Sequence, residues 1–375
     1  MNTLTKPAVT LQDQGLTLHL TDGARAYFNY FWLRDNCPSS FDPQTRERSF
    51  DLQTLPAPPR ATTADITDTH LVISWQGEDH ISRHNLEFLA TNSSATPRPD
   101  PADLPRKPWF SDHYPNMQRF AQPEVIANPA ERAAWAKALL TDGVALVTEM
   151  PENPTGLEDT AGLLGHIRAS FFGPSFEVKT HIKPTNLAFT SKALEMHTDL
   201  PPEDLPPGIQ YLHCLANSVA GGDSLFLDGL AVAEDFRNSN PEDFALLAET
   251  DIPFFCEHES FDMRARQRVI ELNTRGEVTG LTISGHLQDV FDHDQRFLDR
   301  YYPAYWRFAR HMHDPTYLMR FRLNAGECIC FDNHRIVHGR EAYSATSGER
   351  HLRGCYTDRG ELRSTYRALV AQGQA

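Results

Sequence analysis

The sequence predicts a mainly β protein with peripheral helices, in a small N-terminal part and a larger second part. Short apolar or alternating runs outnumber helical patterns along the chain. A stretch rich in Pro, Ser, Thr and Asp, TNSSATPRPDPADLPRKPW (91–109), breaks it early and cannot hold a regular helix or central strand. The length of 375 residues accommodates one small and one large domain. The expected division is a small β-rich domain at 1–92, a linker at 93–124 and the main domain at 125–375.

In chain order, residues 16–20 alternate, 27–33 are rich in aromatics and 69–75 (THLVISW) read as a strand. Past the linker, Trp135 and Leu139 with Ala133, Ala134 and Ala138 recur at helical spacing over 129–141, and the pattern stops near Gly143. Residues 144–148 follow as a buried strand. Further helices are expected at 158–168, at 241–250 with Asn240 as cap, and at 297–313, where Pro303 should kink or divide the helix. Strands are expected at 208–214, 223–227, 269–272, 317–323, 328–331 and 350–356. No internal repeat is visible, and short strands with a few helices suggest a closed or sandwiched β core.

Hydrophobic residues at 40% and charged residues at 23% are ordinary for a soluble globular chain. The formal charge of −15 argues against a nucleic-acid or anionic-membrane partner. There is no run of roughly 18 apolar residues and no secretory pattern at the start, so the expected compartment is the cytoplasm. Cys37, Cys214, Cys256, Cys328, Cys330 and Cys355 are scattered, which points to reduced thiols.

The chemistry begins at His197 and Asp199. On an extended segment, residues two apart project to the same side, so both side chains can face one metal ion. His338, after a strand-like run and before Gly339, is the best third ligand. Two histidines and one carboxylate leave open positions, the arrangement expected for iron(II) that binds a co-substrate and oxygen together. Arg350, on the next predicted strand, can clasp a distal carboxylate with a two-pronged contact; Arg353 competes for that role.

The runs MHTDLP (196–201), PGIQYLHC (207–214), GGDSLFLDG (221–229), CFDNHRIVHG (330–339) and RHLRGCY (350–356), with FWLRDNC (31–37) in the small domain, resemble the taurine dioxygenase superfamily. Within it, the likeness is to the γ-butyrobetaine and trimethyllysine hydroxylase branch. The resemblance implies a double-stranded β-helix, or jelly roll, with His197, Asp199 and His338 holding iron(II). It also implies that Arg350, with Ser224, binds 2-oxoglutarate. Oxygen is the other co-substrate, ascorbate should help in vitro, and a homodimer is the expected assembly.

That branch acts on trimethylammonium compounds, whose quaternary nitrogen cannot donate a hydrogen bond and is suited to an aromatic cage. Phe172, Phe176, Phe189 and Tyr356 occupy the positions that resemble the cage, and Asn186 matches a residue on the substrate's anionic end. A second asparagine expected there is replaced by Ser284, Gly285 and His286. This change favours 2-(trimethylammonio)ethylphosphonate, hydroxylated at carbon 1, over the alternative of γ-butyrobetaine hydroxylated to carnitine. A silent binding protein on the same fold and a zinc hydrolase are the competing classes. The family's structural zinc is not expected here. Only Cys37 and His80 remain of its ligands, Ser39 and Asp42 standing at two others, and Trp32, Leu33 and Trp75 should stabilise the small domain by packing.

Overall fold

The computed structural model describes residues 8–19, 25–67, 69–93, 98–153, 155–179, 190–258 and 260–374. The chain forms two compact units, Met1–Pro99 and Asp100–Ala375. In the first, β1 (Ala8–Leu11), β2 (Gly15–His19) and β3 (Arg25–Asn29) form one antiparallel sheet, and β4 (Ala61–Ile66), β5 (His70–Trp75) and β6 (Ile81–Asn85) a second. Alternation puts Leu16, Leu18, Leu71 and Ile73 inside, joined by Leu33 from helix α1 (Tyr30–Asp35) and by Trp75. Trp32 is only partly buried and stacks on Phe88, at 5.8 Å between ring centroids. The Cys37 thiol lies 3.0 Å from the Ser39 hydroxyl, and His80 Nε2 lies 3.2 Å from Ser82 Oγ.

The second unit carries β7 (Arg119–Ala121), β8 (Val144–Thr148), β9 (Phe176–Val178), β10 (Leu194–His197), β11 (Ile209–Asn217) and β12 (Ser224–Asp228). Two hairpin ribbons follow, β13 (Asp251–His258) with β14 (Phe261–Arg268) and β15 (Ile270–Leu272) with β16 (Val278–Leu281). The last strands are β17 (Met319–Phe321), β18 (Cys328–Asp332), β19 (Ile336–Arg340) and β20 (Arg350–Thr357). They assemble a six-stranded sheet in the order β7-β8-β18-β11-β20-β9 and a four-stranded sheet in the order β10-β19-β12-β17.

Strand parity builds three layers of core. Val144, Leu146, Ile329, Phe331, Cys214 and Leu352 point from the larger sheet onto Phe226, Met319, Phe321 and Ile336 of the smaller one. Their neighbours Ala145, Val147, Cys328, Cys330 and Cys355 point the other way, under the helices Pro129–Thr141 and Arg359–Ala371. Leu227 and Val337 face out of the smaller sheet under the helices Gly229–Ser239, Pro241–Glu249 and Gln295–Met312. All six cysteines are free and buried.

Several expectations are corrected. Residues 100–124, read as linker, run over the second unit and bury Ala102, Trp109, Met117 and Phe120 in its core, so proline content here marks irregular backbone rather than a tether. The helix expected at 158–168 is only Gly156–Ala161, closing at Gly162 where a glycine weakens propagation. Pro303 does not divide the helix Gln295–Met312; burial of Tyr301, Ala304 and Phe308 outweighs its missing hydrogen bond. Asn240 begins the helix Pro241–Glu249 without a side-chain capping bond. The ribbon over 251–268 and the helix Gly229–Ser239 were not anticipated.

Candidate active site

His338 is an inward residue of β19 and pairs directly across the sheet with His197, the last residue of β10. A register shift in β10 just before His197 lets the chain turn, and Leu200, at φ +60°, continues that turn past Asp199. The result brings His197 Nε2 to 3.2 Å and His338 Nε2 to 3.7 Å from Asp199 Oδ1. Ligand atoms of all three residues lie within 4.8 Å of one another. An ion about 2.1 Å from each donor leaves neighbouring donors about 3 Å apart, so the set is nearly dimensioned for an octahedral metal.

The surroundings orient each donor. His197 Nδ1 donates to the Glu195 carbonyl at 2.8 Å, which leaves its Nε2 lone pair facing inward. Burial drives the His338 imidazole down to about 3, with the neighbouring His197 adding to it, so it is neutral and able to ligate. Asp199 Oδ2 accepts from Gln210 Nε2 at 2.7 Å and from the Tyr356 hydroxyl at 2.6 Å, leaving Oδ1 for the histidine side. Burial alone would raise the Asp199 carboxyl, but its contact with the His197 ring, the nearness of His338 and the hydrogen bond from Tyr356 hold it well below the usual range. Burial, and then Asp199, push the Tyr356 phenol well above its ordinary value, so it remains a donor. Asn333 accepts from the Asp199 amide at 2.7 Å and donates to the Asp199 and Pro207 carbonyls, fixing the loop's backbone.

Beside the triad is a cavity lined by Gln210, Leu212, Ser224, Phe226, His338 and Arg350, among others. Arg350 shares the inward face of β20 with Leu352, whereas Arg353 faces outward and pairs with Glu158 at 2.6 Å and Ser175 at 2.9 Å. Parity therefore puts Arg350, and not Arg353, on the cavity beside the triad. Its guanidinium is buried, leans over the Tyr343 ring at 5.6 Å, and its Nε has no hydrogen-bond partner among the described residues. Burial, with Arg340 nearby, lowers it to about 10. A buried cation with no carboxylate partner among the described residues matches the charge of a dicarboxylate co-substrate, and the triad supplies the donor set for iron.

A second cavity shares His197 and Asp199 and is walled by Phe172, Phe176, Leu200, His286 and Tyr356. Phe176 stacks on Tyr356 with centroids 5.2 Å apart, and Phe172 lies 6.1 Å from Phe176. Asp199 is the one acid among the described lining residues. The His286 ring sits edge-on to His197 at 5.1 Å, with Ser284 Oγ 3.4 Å from its Nδ1. Burial, with His197 adding to it, takes His286 down to about 4, so it is uncharged near neutrality. Asn186 and Phe189 lie outside the described residues. Tyr356, expected only in the cage, also holds the metal-facing carboxylate. Gln210, Asn333 and Arg340 escaped the sequence reading; the first two lie within the quoted runs PGIQYLHC and CFDNHRIVHG, where the polarity of Gln210 inside an apolar strand was the available signal and Asn333 stands in the turn between β18 and β19. Arg340 donates to the Thr190 and Lys192 carbonyls, both at 2.7 Å, and its guanidinium lies 4.9 Å from the Tyr343 ring centroid.

A family model described as taurine catabolism dioxygenase TauD, TfdA family, matches residues 105–356. A γ-butyrobetaine dioxygenase of Pseudomonas sp. (strain AK-1) is 33% identical over 364 residues, covering 96% of this chain and 94% of its own. The γ-butyrobetaine dioxygenase of Homo sapiens is 27% identical over 363 residues, covering 93% and 92%. The crystal structure of AAD-2 in complex with Mn(II) and N-oxalylglycine superposes with a TM-score of 0.51 at 12% identity, over 70% of this chain and 94% of that one. At that identity the superposition speaks to fold, a jelly-roll core, and not to substrate.

Proposed function

Because the chain belongs to the TauD/TfdA family and is a non-haem iron(II), 2-oxoglutarate-dependent dioxygenase, we propose that it hydroxylates a C–H bond of a trimethylammonium zwitterion, with γ-butyrobetaine the leading substrate. The observation that carries this reading is the cavity shared by Phe172, Phe176 and Tyr356 with His197 and Asp199. Its aromatic walls suit a cation that cannot donate a hydrogen bond, and they keep water from the reacting carbon.

Iron(II), oxygen and 2-oxoglutarate supply the oxidising chemistry, the co-substrate leaving as succinate and carbon dioxide. The chain's own residues bind and orient. His197, Asp199 and His338 would hold the metal. Gln210 and Tyr356 keep Asp199 turned with one oxygen inward. Arg350, with Ser224 on the same cavity wall, would receive the far carboxylate of the co-substrate and so set its direction of approach. Asn186 and Phe189 are assigned to the substrate only by resemblance.

The sequence-based preference for the phosphonate gives way to the carboxylate. His286 is neutral near pH 7 and offers no charge to a doubly ionised head group, and the two relatives compared above are γ-butyrobetaine dioxygenases. The phosphonate stands as the second reading, on His286, which lines the site, and on Ser284 buried behind its ring. Turnover of both compounds at equal concentration, read as substrate-dependent succinate with the product identified by mass spectrometry, tests the order. Faster γ-butyrobetaine oxidation is expected; faster phosphonate oxidation reverses it, and coupling to neither removes the proposal.

A further inference from the structure

A cavity of about 350 Å³ lies where residues 100–106, the end of β18 and the start of the helix Arg359–Ala371 meet, and it shares no residue with the two cavities of the active site. In a chain with a net charge of −15, its lining is unusual: five arginines against four carboxylates. Part of that charge is already matched. Arg335 is bidentate on Asp228 and donates to the Thr141 and Lys107 carbonyls. Arg275 pairs with Glu277 at 2.7 Å, and Asp100 is held by Arg367 from outside the lining.

Three guanidinium groups keep donors in reserve. Arg359 reaches Asp332 at 3.1 Å and otherwise makes only long contacts to the Thr279 carbonyl. Arg363 comes no nearer than 3.8 Å to Asp103, beyond hydrogen-bond length. Arg106, half-buried, has no hydrogen bond or ion pair among the described residues. Burial, then the charges of Arg335 and Arg359, press its guanidinium below its ordinary value. Arg350 beside the metal site is likewise a sheltered cation next to another arginine, although Arg106 also has Asp332 and Glu277 in its neighbourhood.

We propose that this cavity is a binding site for a small multivalent oxyanion, a phosphate or a polycarboxylate, gripped by Arg106, Arg359 and Arg363. Such an anion supplies several acceptors to donors that the fold leaves unused, and charge-assisted contacts of this type are among the strongest available to a small ligand.

Isothermal titration of inorganic phosphate, and separately of citrate, into the anaerobic holoenzyme with iron(II) and saturating 2-oxoglutarate tests the site while the Arg350 cavity is filled. Saturable binding of at least one anion, weakened about tenfold or more in both Arg106→Gln and Arg363→Gln, is expected. The arm that saturates tells which source of oxyanion the cavity takes. Both variants should still bind 2-oxoglutarate as the unaltered protein does, which separates loss of the site from loss of the fold. Absence of saturable binding of either anion up to about 10 mM overturns the proposal, as does binding that both variants leave unchanged.

Discussion

Arg335 and Arg350 lie in the same unit and are comparably buried, at 4% and 7% exposure, yet the fold treats them in opposite ways. Arg335 has a two-pronged pair with Asp228, at 2.9 and 2.7 Å, and two backbone carbonyls besides. Burial alone would lower it, but Asp228 more than compensates and its charge is favoured. Arg350 has an aromatic ring, no paired acid among the described residues, and a depressed guanidinium. A buried charge matched within the chain is part of the scaffold; one left unmatched is held for something the chain does not contain.

The widest separation between the two should appear in stability. Arg335→Met leaves Asp228 buried and unpaired, so urea unfolding should show a loss of about 3–5 kcal/mol. Arg350→Met removes an uncompensated charge and should leave the urea midpoint of the metal-free protein unchanged or raised. Equal destabilisation by both would erase the distinction. A smaller loss is expected on acidification, since the fold also shelters uncharged histidines. Burial takes His213 and His286 to about 4 from an ordinary 6.5. Between those values the unfolded chain binds more protons than the folded one, so their contribution is intact above pH 6.5 and lost as the pH falls toward 4. Substituting His213 with Gln should flatten that slope in denaturation curves taken across this range; an unaltered slope would contradict the assignment.

Within the site, Tyr356→Phe deletes one of two bonds on Asp199 Oδ2 while keeping the ring that stacks on Phe176. Iron(II) affinity should drop about 10- to 100-fold by competition with a chelator, and a drop of less than twofold would leave Tyr356 as a cage residue only. The least effect is expected at the cage. Phe176→Ala should weaken a trimethylammonium substrate relative to its uncharged tert-butyl isostere by about 0.5–2 kcal/mol, read from the ratio of their apparent affinities. A ratio that does not move would reduce Phe176 to ordinary packing.

Much of this was legible because strands encode direction. The alternation of Cys328 and Cys330 with Ile329 and Phe331 is a property of extended chain and carries into the structure. Arg350, by contrast, is told from Arg353 only by the fold, and Asp199 joins His197 through a bend past the end of β10 rather than along an extended segment. Tyr356 shows where such reading stops. Sequence places its ring, but its second role depends on a hydrogen bond to Asp199, 157 positions away in the chain. Gln210 and Asn333 were missed for the same reason, because their polar atoms are explained only by Asp199 and Pro207, in the loop after β10. Proline content misled at 100–124, where Trp109 is anchored by its indole donating to the Asp142 carbonyl and its amide to Asp228. Those bonds are long-range and leave no local pattern.

The contrast between the two arginines reduces to one question, whether Arg350 is kept for the co-substrate. Anaerobic titration of 2-oxoglutarate into the iron(II) protein, followed by its visible charge-transfer absorption, answers it when the unaltered protein and Arg350→Met are compared. The expected result is an affinity at least about a hundredfold lower in the variant, the loss of two charge-assisted hydrogen bonds, with iron(II) affinity unchanged. Equal affinity of the two proteins for 2-oxoglutarate would contradict it.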